Sequence, residues 1–529
     1  MEKVVSKSFS KYNSIFFFLI AIYLILFFLL VKYYQYFLYP DSTAYVSIAK
    51  QYLLGNFNNA VNEFWSPLYS WLIAFILKFT GFSPLNGLWA GRIINCFTGV
   101  LLFISVKKLS SKVGLNEKMS ILVVITLIPL VLYVSLVHVL ADLLMMTILL
   151  FYFNIIFRKD YSSKLSYGAL CGFICGLAFL SKAYALIFFL LHFLLFTFLQ
   201  WKISTISENR KRVFKSFLLG VLIFFIVSGL WIGMISIHAG KFTYGTSGDH
   251  NFRQAGPEST GNCIDNPGFM EPTYDGAFSV WDDPGKGSNL KSWSPFESKE
   301  YFIFWLKNIY NNIDEYMGFI NSFSCFAFII LLSCFLLLIS PVKDYILKRR
   351  NILFLSLTLF LFPLAYFLLC IESRYIRVVY VLVVLLGFCI MQMLFKKDVF
   401  SKYAKGILTL TLMISFMLYP VPFALDAYSV NEGKITVTYN QLEPYHLKGN
   451  IVANSIDKFM LISFLLDIKY YGIANGNWSG QQLIDRLKTY KIDYFVFKEG
   501  SDKKLGVLEE NFPEITNGSI KGLKIFKTS

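Results

Sequence analysis

Asp41 stands in Tyr39-Pro-Asp-Ser-Thr-Ala-Tyr45, a few residues beyond an almost wholly apolar run from Asn13 to Leu30. A run of that length can cross a hydrocarbon core of roughly 30 Å, so the carboxylate falls at one surface of a membrane. Aromatic and small residues follow, then Phe64-Trp-Ser-Pro-Leu-Tyr69. A carboxylate placed there could take a proton from a hydroxyl beside a lipid headgroup, given reach and a suitable proton affinity. The competing reading makes Asp41 the N-cap of a helix carrying Tyr45, Ile48, Ala49 and Tyr52, whose spacing fits an amphipathic helix lying at the interface.

Other chemistry-bearing side chains fall at the ends of apolar runs. Asp142 follows Ala141 at the start of one run and could cap it or face a cavity. Lys182, in Leu180-Ser-Lys-Ala-Tyr184, lies between two runs with almost no loop, suited to an anionic headgroup or to snorkelling. Glu372-Ser-Arg-Tyr375 is the tightest polar cluster: Arg374 offers a planar fork for phosphate, and Glu372 could orient it or pair with Arg377. A charge within a span costs roughly 2.5–3.5 kcal/mol on insertion scales, so such residues usually line a cavity or pathway. They come from separate loops, and their use requires that those loops converge.

His138, His192 and His238 stand singly in apolar runs and His250 in a polar loop, without zinc-type spacing. No Walker loop or dinucleotide fingerprint is present, which argues against a nucleotide cofactor. Seven of the eight cysteines lie in apolar runs and only Cys263 in a polar loop, so no disulfide framework is indicated. Gly168, Gly172 and Gly176 recur every four residues beside Cys171 and Cys175, a pattern better suited to close helix packing than to a metal site.

The elements that must hold these residues are membrane helices. The chain has 529 residues, 56% hydrophobic and only 16% charged, which a soluble protein of this size does not sustain. Apolar runs predict about eleven spans, near 13–37, 85–106, 119–137, 140–157, 165–181, 184–201, 216–238, 317–340, 352–371, 376–395 and 406–425. With the N-terminus cytoplasmic, the inside segments, from Lys3–Lys11 to Lys396–Lys405, hold 23 basic residues. The short outside connections hold five: Lys50, Lys78, Lys182, Arg374 and Arg377. The positive-inside rule accounts for this asymmetry, and for the net charge of +16 without nucleic acid as a partner. The transmembrane domain is thus expected over 1–425, with outer loops 39–84 and 239–315, where Trp281-Asp-Asp-Pro-Gly285 reads as a turn.

The segment 426–529 changes character. Asn450–Asn454 and Lys491–Phe497 are strand-like, and Ser479-Gly-Gln-Gln482 fits a capping box opening a helix through Leu483, Leu487 and Tyr490. A small extracytoplasmic α/β domain is expected, serving as a lid or an acceptor-docking module.

Together these features resemble the GT-C membrane glycosyltransferases that use polyprenyl-phosphate sugars, a group including the aminoarabinose transferase and the protein O-mannosyltransferases. The resemblance spans roughly residues 13–400. It rests on Asp41 and Tyr45 as Asp-x-x-x-Tyr, Trp65-Ser-Pro-Leu-Tyr69, Asp142, Gly176-Leu-Ala-Phe-Leu-Ser-Lys182 and Glu372-Ser-Arg-Tyr375. It implies an inverting transfer in which Asp41 inherits the role of base by position. Lys182 and Arg374 become candidates for the departing lipid phosphate, with Tyr45, Trp65, Asp142, Glu372 and Tyr375 around the substrate. The implied partners are a polyprenyl-phosphate sugar donor, membrane lipid, and a glycan, lipid or protein acceptor.

The chain departs from the group at Ser42, where many relatives carry a second acid, and at Ala44 and Trp65-Ser66, where the aminoarabinose branch has basic and Glu-Lys residues. That branch's metal and phosphate contacts therefore do not carry over, and a divalent cation is left open. The rivals are a polyprenyl-linked oligosaccharide polymerase or ligase, and a lipid-linked glycan flippase, which would place charges at the bilayer midplane and show an internal repeat.

Overall fold

Apolar runs become helices in lipid because a helix satisfies its own N–H and C=O groups where no water can. The computed structural model describes residues 2–204, 206–259, 267–288, 290–339, 350–396, 399–431, 433–454, 458–500 and 505–529. Cys263 and the basic residues Lys343, Lys348, Arg349 and Lys397 lie outside the described residues.

Among the described residues, eight helices are long and apolar enough to cross a membrane: Lys11–Tyr34, Pro84–Lys112, Glu117–Val137, Tyr184–Ile203, Ser207–Ala239, Arg350–Phe367, Arg377–Phe395 and Lys402–Ser429. Two of the expected spans are shorter apolar helices, Asp142–Ile156 and Ser166–Ser181. The span expected near 317–340 is broken: Lys299–Phe323 and Ala327–Ile339 meet at a bend of 117°. Ser324 makes the break, its backbone extended and its Oγ accepting from the Phe326 N–H at 3.1 Å, which starts a fresh turn. The protein is an integral, multi-pass membrane protein.

The glycine repeat packs helices. A Cβ at Gly168 or Gly172 would collide with the carbonyls of Ser216 and Gly220, so Ser166–Ser181 lies directly against the backbone of Ser207–Ala239. Cys171 and Cys175 are buried free thiols, and no three His, Cys, Asp or Glu side chains are grouped to hold a metal ion among the described residues.

A buried arginine inside the Pro84–Lys112 span sets the loops that carry the acids. Arg92, fully buried, donates from Nε to the Leu136 carbonyl at 2.9 Å and from Nη2 to the carbonyls of Tyr34 (2.7 Å) and Phe37 (2.6 Å). Carbonyls at helix C-termini lack intrahelical partners and carry partial negative charge. One guanidinium therefore fixes where the first span ends and where Glu117–Val137 ends, just before Asp41 and Asp142 respectively. Asn95 Nδ2 adds a bond of 2.5 Å to the His138 carbonyl in the second of these turns.

The helix Pro40–Leu53 is not the interfacial amphipathic helix its spacing predicted. Ser42 through Ala49 and Gln51 are all buried, because Pro67–Thr80 and Leu88 cover one side and Phe278, Trp281 and Phe459 another. Asp41 does not cap it: Tyr39 is the N-cap residue, and the Tyr39 N–H donates to Ser42 Oγ at 3.2 Å. Pro40 opens the helix with its φ preset and no N–H to satisfy, which leaves the Asp41 side chain free to point elsewhere.

The C-terminal segment forms a five-stranded sheet in the order β1 (Gly268–Phe269), β3 (Lys469–Ile473), β2 (Asn450–Ala453), β4 (Tyr494–Lys498), β5 (Leu523–Lys527). The three central strands are parallel and both edges antiparallel. Phe459–Leu465 and Gly480–Thr489 make the crossovers, the latter opened by the Ser479/Gln482 capping box. Alternate residues serve two faces: Ile451, Ala453 and Val496 pack toward the membrane part, whereas Val452, Phe495 and Phe497 pack under Gly480–Thr489. Edge strand β1 comes from the outer loop, so loop and C-terminal segment fold as one layer over Pro40–Leu53.

Candidate active site

Asp41, Tyr45, Trp65, Asp142, Lys182, Glu372, Arg374 and Tyr375 all line one cavity of about 950 Å³. Four stretches of chain bring them there: the first outer loop, the turns at Ala141 and Ser181, and the connection before Arg377–Phe395.

Arg374 is the hub. Its Nη1 donates to Asp41 Oδ2 at 2.6 Å, and its Nε and Nη2 donate to Glu372 at 2.6 and 3.2 Å. One planar fork thus joins two carboxylates 331 residues apart in sequence, a geometry an ammonium could not reproduce. Tyr375 OH donates to Glu372 Oε1 at 2.8 Å. Burial alone would raise the Glu372 carboxyl, but the adjacent Arg374 charge and these bonds hold it below its ordinary value. The remaining Asp41 oxygen, Oδ1, accepts from Trp281 Nε1 at 3.2 Å.

The second cation lies close by. Lys182 Nζ donates to Asp142 Oδ1 at 2.5 Å and sits 4.0 Å from the centroid of the Tyr375 ring, which the Arg374 guanidinium approaches to 5.2 Å. A cation over an aromatic face is attracted by the ring quadrupole, so Tyr375 holds both positive charges at one place. Its ring stacks on Tyr366, and Tyr366 stacks on Tyr184 at 3.8 Å. Asp142 does not cap its helix; it is the first helical residue, with its side chain given over to Lys182.

Tyr45 and Trp65 form the opposite wall, their rings 5.2 Å apart. Trp65 Nε1 donates to the Trp281 carbonyl at 3.2 Å, which ties the first outer loop to the second. The turn expected at Trp281–Gly285 exists as a 3-10 turn followed by a short helix. Asp282 anchors it beneath the cavity: its Oδ2 accepts from Ser47 Oγ at 2.5 Å and from the Phe278 N–H at 2.9 Å. Burial pushes this carboxyl up to about 7 despite those bonds.

One expected pairing is corrected. Arg377 does not pair with Glu372; its Nη2 donates to His138 Nε2 at 2.9 Å. His138 is thus a bonded, buried residue; it also stacks on Tyr39 at 4.9 Å and lines the cavity. His192 is likewise a bonded core histidine, between Tyr152 OH and Thr358 Oγ1 at 2.8 and 2.9 Å. Trp281, His138 and Arg92 were the residues that sequence reading missed. Arg92 had the one available signal, a lone charge inside an apolar run.

The donor set does not suit a resident divalent cation. Asp41 and Glu372 are committed to Arg374 and Asp142 to Lys182, whereas such a cation needs carboxylate oxygens free of competing positive charge. What the arrangement offers instead is a carboxylate with reach into the cavity, next to two cations able to receive an anion.

Comparison with known proteins bears on this geometry. Residues 44–200 match the model of the MptA_B family, alpha-(1→6)-mannopyranosyltransferase, N-terminal domain. That stretch includes Tyr45, Trp65, Asp142 and Lys182 but neither Asp41 nor the Glu372–Tyr375 cluster. No curated protein sequence matches the chain. Among solved structures, ArnT from Cupriavidus metallidurans bound to undecaprenyl phosphate superposes with a TM-score of 0.57 at 11% identity, over 97% of each chain. The archaeal oligosaccharyltransferase AglB from Archaeoglobus fulgidus, in complex with an inhibitory peptide and a dolichol-phosphate, gives a TM-score of 0.51 at 10% identity. That match covers 92% of this chain and 69% of AglB. At such identities the likeness is one of fold, and the fold is GT-C, as the resemblance implied.

Proposed function

We propose that this GT-C protein is an inverting glycosyltransferase that moves a hexopyranosyl group from a polyprenyl-phosphate donor to an acceptor hydroxyl on the extracytoplasmic face. One observation carries the reading: Asp41 meets Arg374 at 2.6 Å in a cavity that also holds Lys182. Base and leaving-group cations thus lie within one substrate's length.

In this reading the donor phosphate docks on Arg374 and Lys182, competing with Asp41 for Nη1. Displaced from that cation, the Asp41 carboxylate is free to turn to the acceptor. The carboxylate then takes the proton of the acceptor hydroxyl. As the acceptor oxygen bonds to the anomeric carbon, the bond from that carbon to the phosphate oxygen breaks with its electron pair. The products are the glycoside, with inverted configuration, and the polyprenyl phosphate, its charge stabilised by the two cations. Glu372 and Tyr375 hold Arg374 in plane. Tyr184, Tyr366, Ile187 and Leu368 give the cavity an apolar flank, and Ile187 and Leu368 are exposed, as an isoprenoid chain entering from lipid requires.

The mannopyranosyltransferase model over 44–200 favours a hexose, and the undecaprenyl phosphate in ArnT a long polyprenyl carrier. A glycan, lipid or protein each supplies a suitable acceptor hydroxyl. The basic residues gathered at the far ends of the helices support the extracytoplasmic placement.

The test is transfer by the purified full chain from a synthetic short-chain polyprenyl-phosphate hexose, with the anomeric configuration of the product read by NMR. Release of polyprenyl phosphate and an inverted product are expected. Transfer only from lipid-linked oligosaccharides would favour the ligase reading. Labelling of Asn477→Cys by an impermeant maleimide from the cytoplasmic side alone would overturn the orientation.

A further inference from the structure

A second cavity, of about 490 Å³, lies at the other end of the bundle. The helix Arg377–Phe395 measures the separation. Arg377 bonds His138 at the first cavity, and Gln392, on the wall of the second, follows fifteen residues later, about 22 Å along a helix. Asp142–Ile156 runs the same way, from Asp142 at the first cavity toward Lys159 at the second.

Lys112, Lys159, Arg350 and Lys396 line this second cavity, and no carboxylate does so among the described residues. Two of the cations are built in. Lys112 Nζ donates to the Asn154 carbonyl, and Arg350 Nη2 donates to the Arg158 carbonyl at 2.8 Å. The side-chain ammonium groups of the other two, Lys159 and Lys396, make no hydrogen bond or ion pair among the described residues. The remaining wall includes apolar side chains such as Ile203 and Met393. The positive-inside rule asks only for basic residues flanking a span. It does not ask for four of them around one concave space with an apolar side.

We propose that this cavity binds a phosphate-bearing group, either the headgroup of an anionic membrane lipid or a free phosphate, on the face opposite the glycosyl-transfer site. The built-in pair presents fixed positive charge, and Lys159 and Lys396 close on the phosphate oxygens. The apolar side receives the glycerol and first methylenes of a lipid. Basic pockets between transmembrane helices at the cytoplasmic side recognise headgroups in this way. The proposal does not rest on the activity assigned to the first cavity.

The experiment is native mass spectrometry of the full chain in detergent. Phosphatidylglycerol, phosphatidylcholine and inorganic phosphate serve as separate probes. Lys159→Gln/Lys396→Gln is compared with the native chain and with Lys118→Gln/Lys402→Gln, which removes equal charge from exposed positions outside the cavity. One-to-one retention of phosphatidylglycerol over phosphatidylcholine, weakened roughly tenfold by the cavity pair and unchanged by the control pair, supports a headgroup site. The same pattern with inorganic phosphate supports a site for the free ion. Equal binding of both lipids without phosphate binding, or equal losses in the two variants, overturns the proposal.

Discussion

Replacing Asp41 with Asn separates the two jobs its carboxylate could do. The asparagine keeps the shape and still offers an Oδ1 to Trp281 Nε1, which the native side chain engages at 3.2 Å. Arg374 is not orphaned, because both of its bonds to Glu372 remain. Only one charged hydrogen bond disappears, at a cost of about 1.5–3 kcal/mol, so the variant folds. A positioned base contributes about 10²–10⁴ in rate. Because Asp41 also competes with the donor phosphate for Nη1, its removal does not raise donor KM. The expected signature is therefore a kcat lowered by about 10²–10⁴ with donor KM unchanged or reduced. Were Asp41 merely a prop for Arg374, KM would rise and kcat would persist. Initial rates over a range of synthetic donor, on protein shown by melting temperature to be folded, distinguish the two. A folded Asp41→Asn protein with kcat within about threefold of native refutes the assignment.

Three other outcomes follow from the same geometry. Arg374→Lys loses the fork that serves Asp41 and Glu372 together, and kcat/KM for the donor is expected to fall about 100-fold in that assay. Lys182→Met leaves Asp142, whose side chain is only 7% exposed, without its partner. A loss of about 3–5 kcal/mol is expected from the unpaired buried charge, seen as a lower melting temperature that Lys182→Met combined with Asp142→Asn largely restores. The Asp282 carboxyl is raised by burial to about 7, so the folded state holds its proton more tightly than the unfolded chain does. Its contribution is full below the unfolded value near 4 and is lost as pH rises through 7. Asp282→Asn is expected to flatten the decline in melting temperature between those limits, and an unchanged decline would reject the assignment to this residue.

The membrane class, most of the spans and the charge asymmetry were legible from composition and periodicity, because lipid imposes one requirement on every crossing segment. Of the eight residues that line the first cavity, Asp41, Asp142, Lys182, Glu372 and Arg374 were legible as charges at the ends of spans, where charge is expensive unless used, and Tyr45, Trp65 and Tyr375 only through the resemblance. Local pattern misread what neighbours decide. The apolar spacing of Pro40–Leu53 predicted one buried face, but the outer loop and C-terminal layer bury nearly all of it. The helix expected at 317–340 breaks at Ser324, a residue whose type alone does not distinguish a break from a packed interior.

By itself the sequence determined which chemistry is available: carboxylates, a guanidinium and an ammonium at one rim of an apolar bundle. Only the tertiary structure decided who meets whom. Arg374 takes Asp41 and Glu372, Arg377 takes His138, and Trp281 arrives over Asp41 from a loop 240 residues away. Such pairings join positions hundreds of residues apart, and no local periodicity encodes them. They depend on where each helix ends, and here a single buried arginine, Arg92, sets two of those ends.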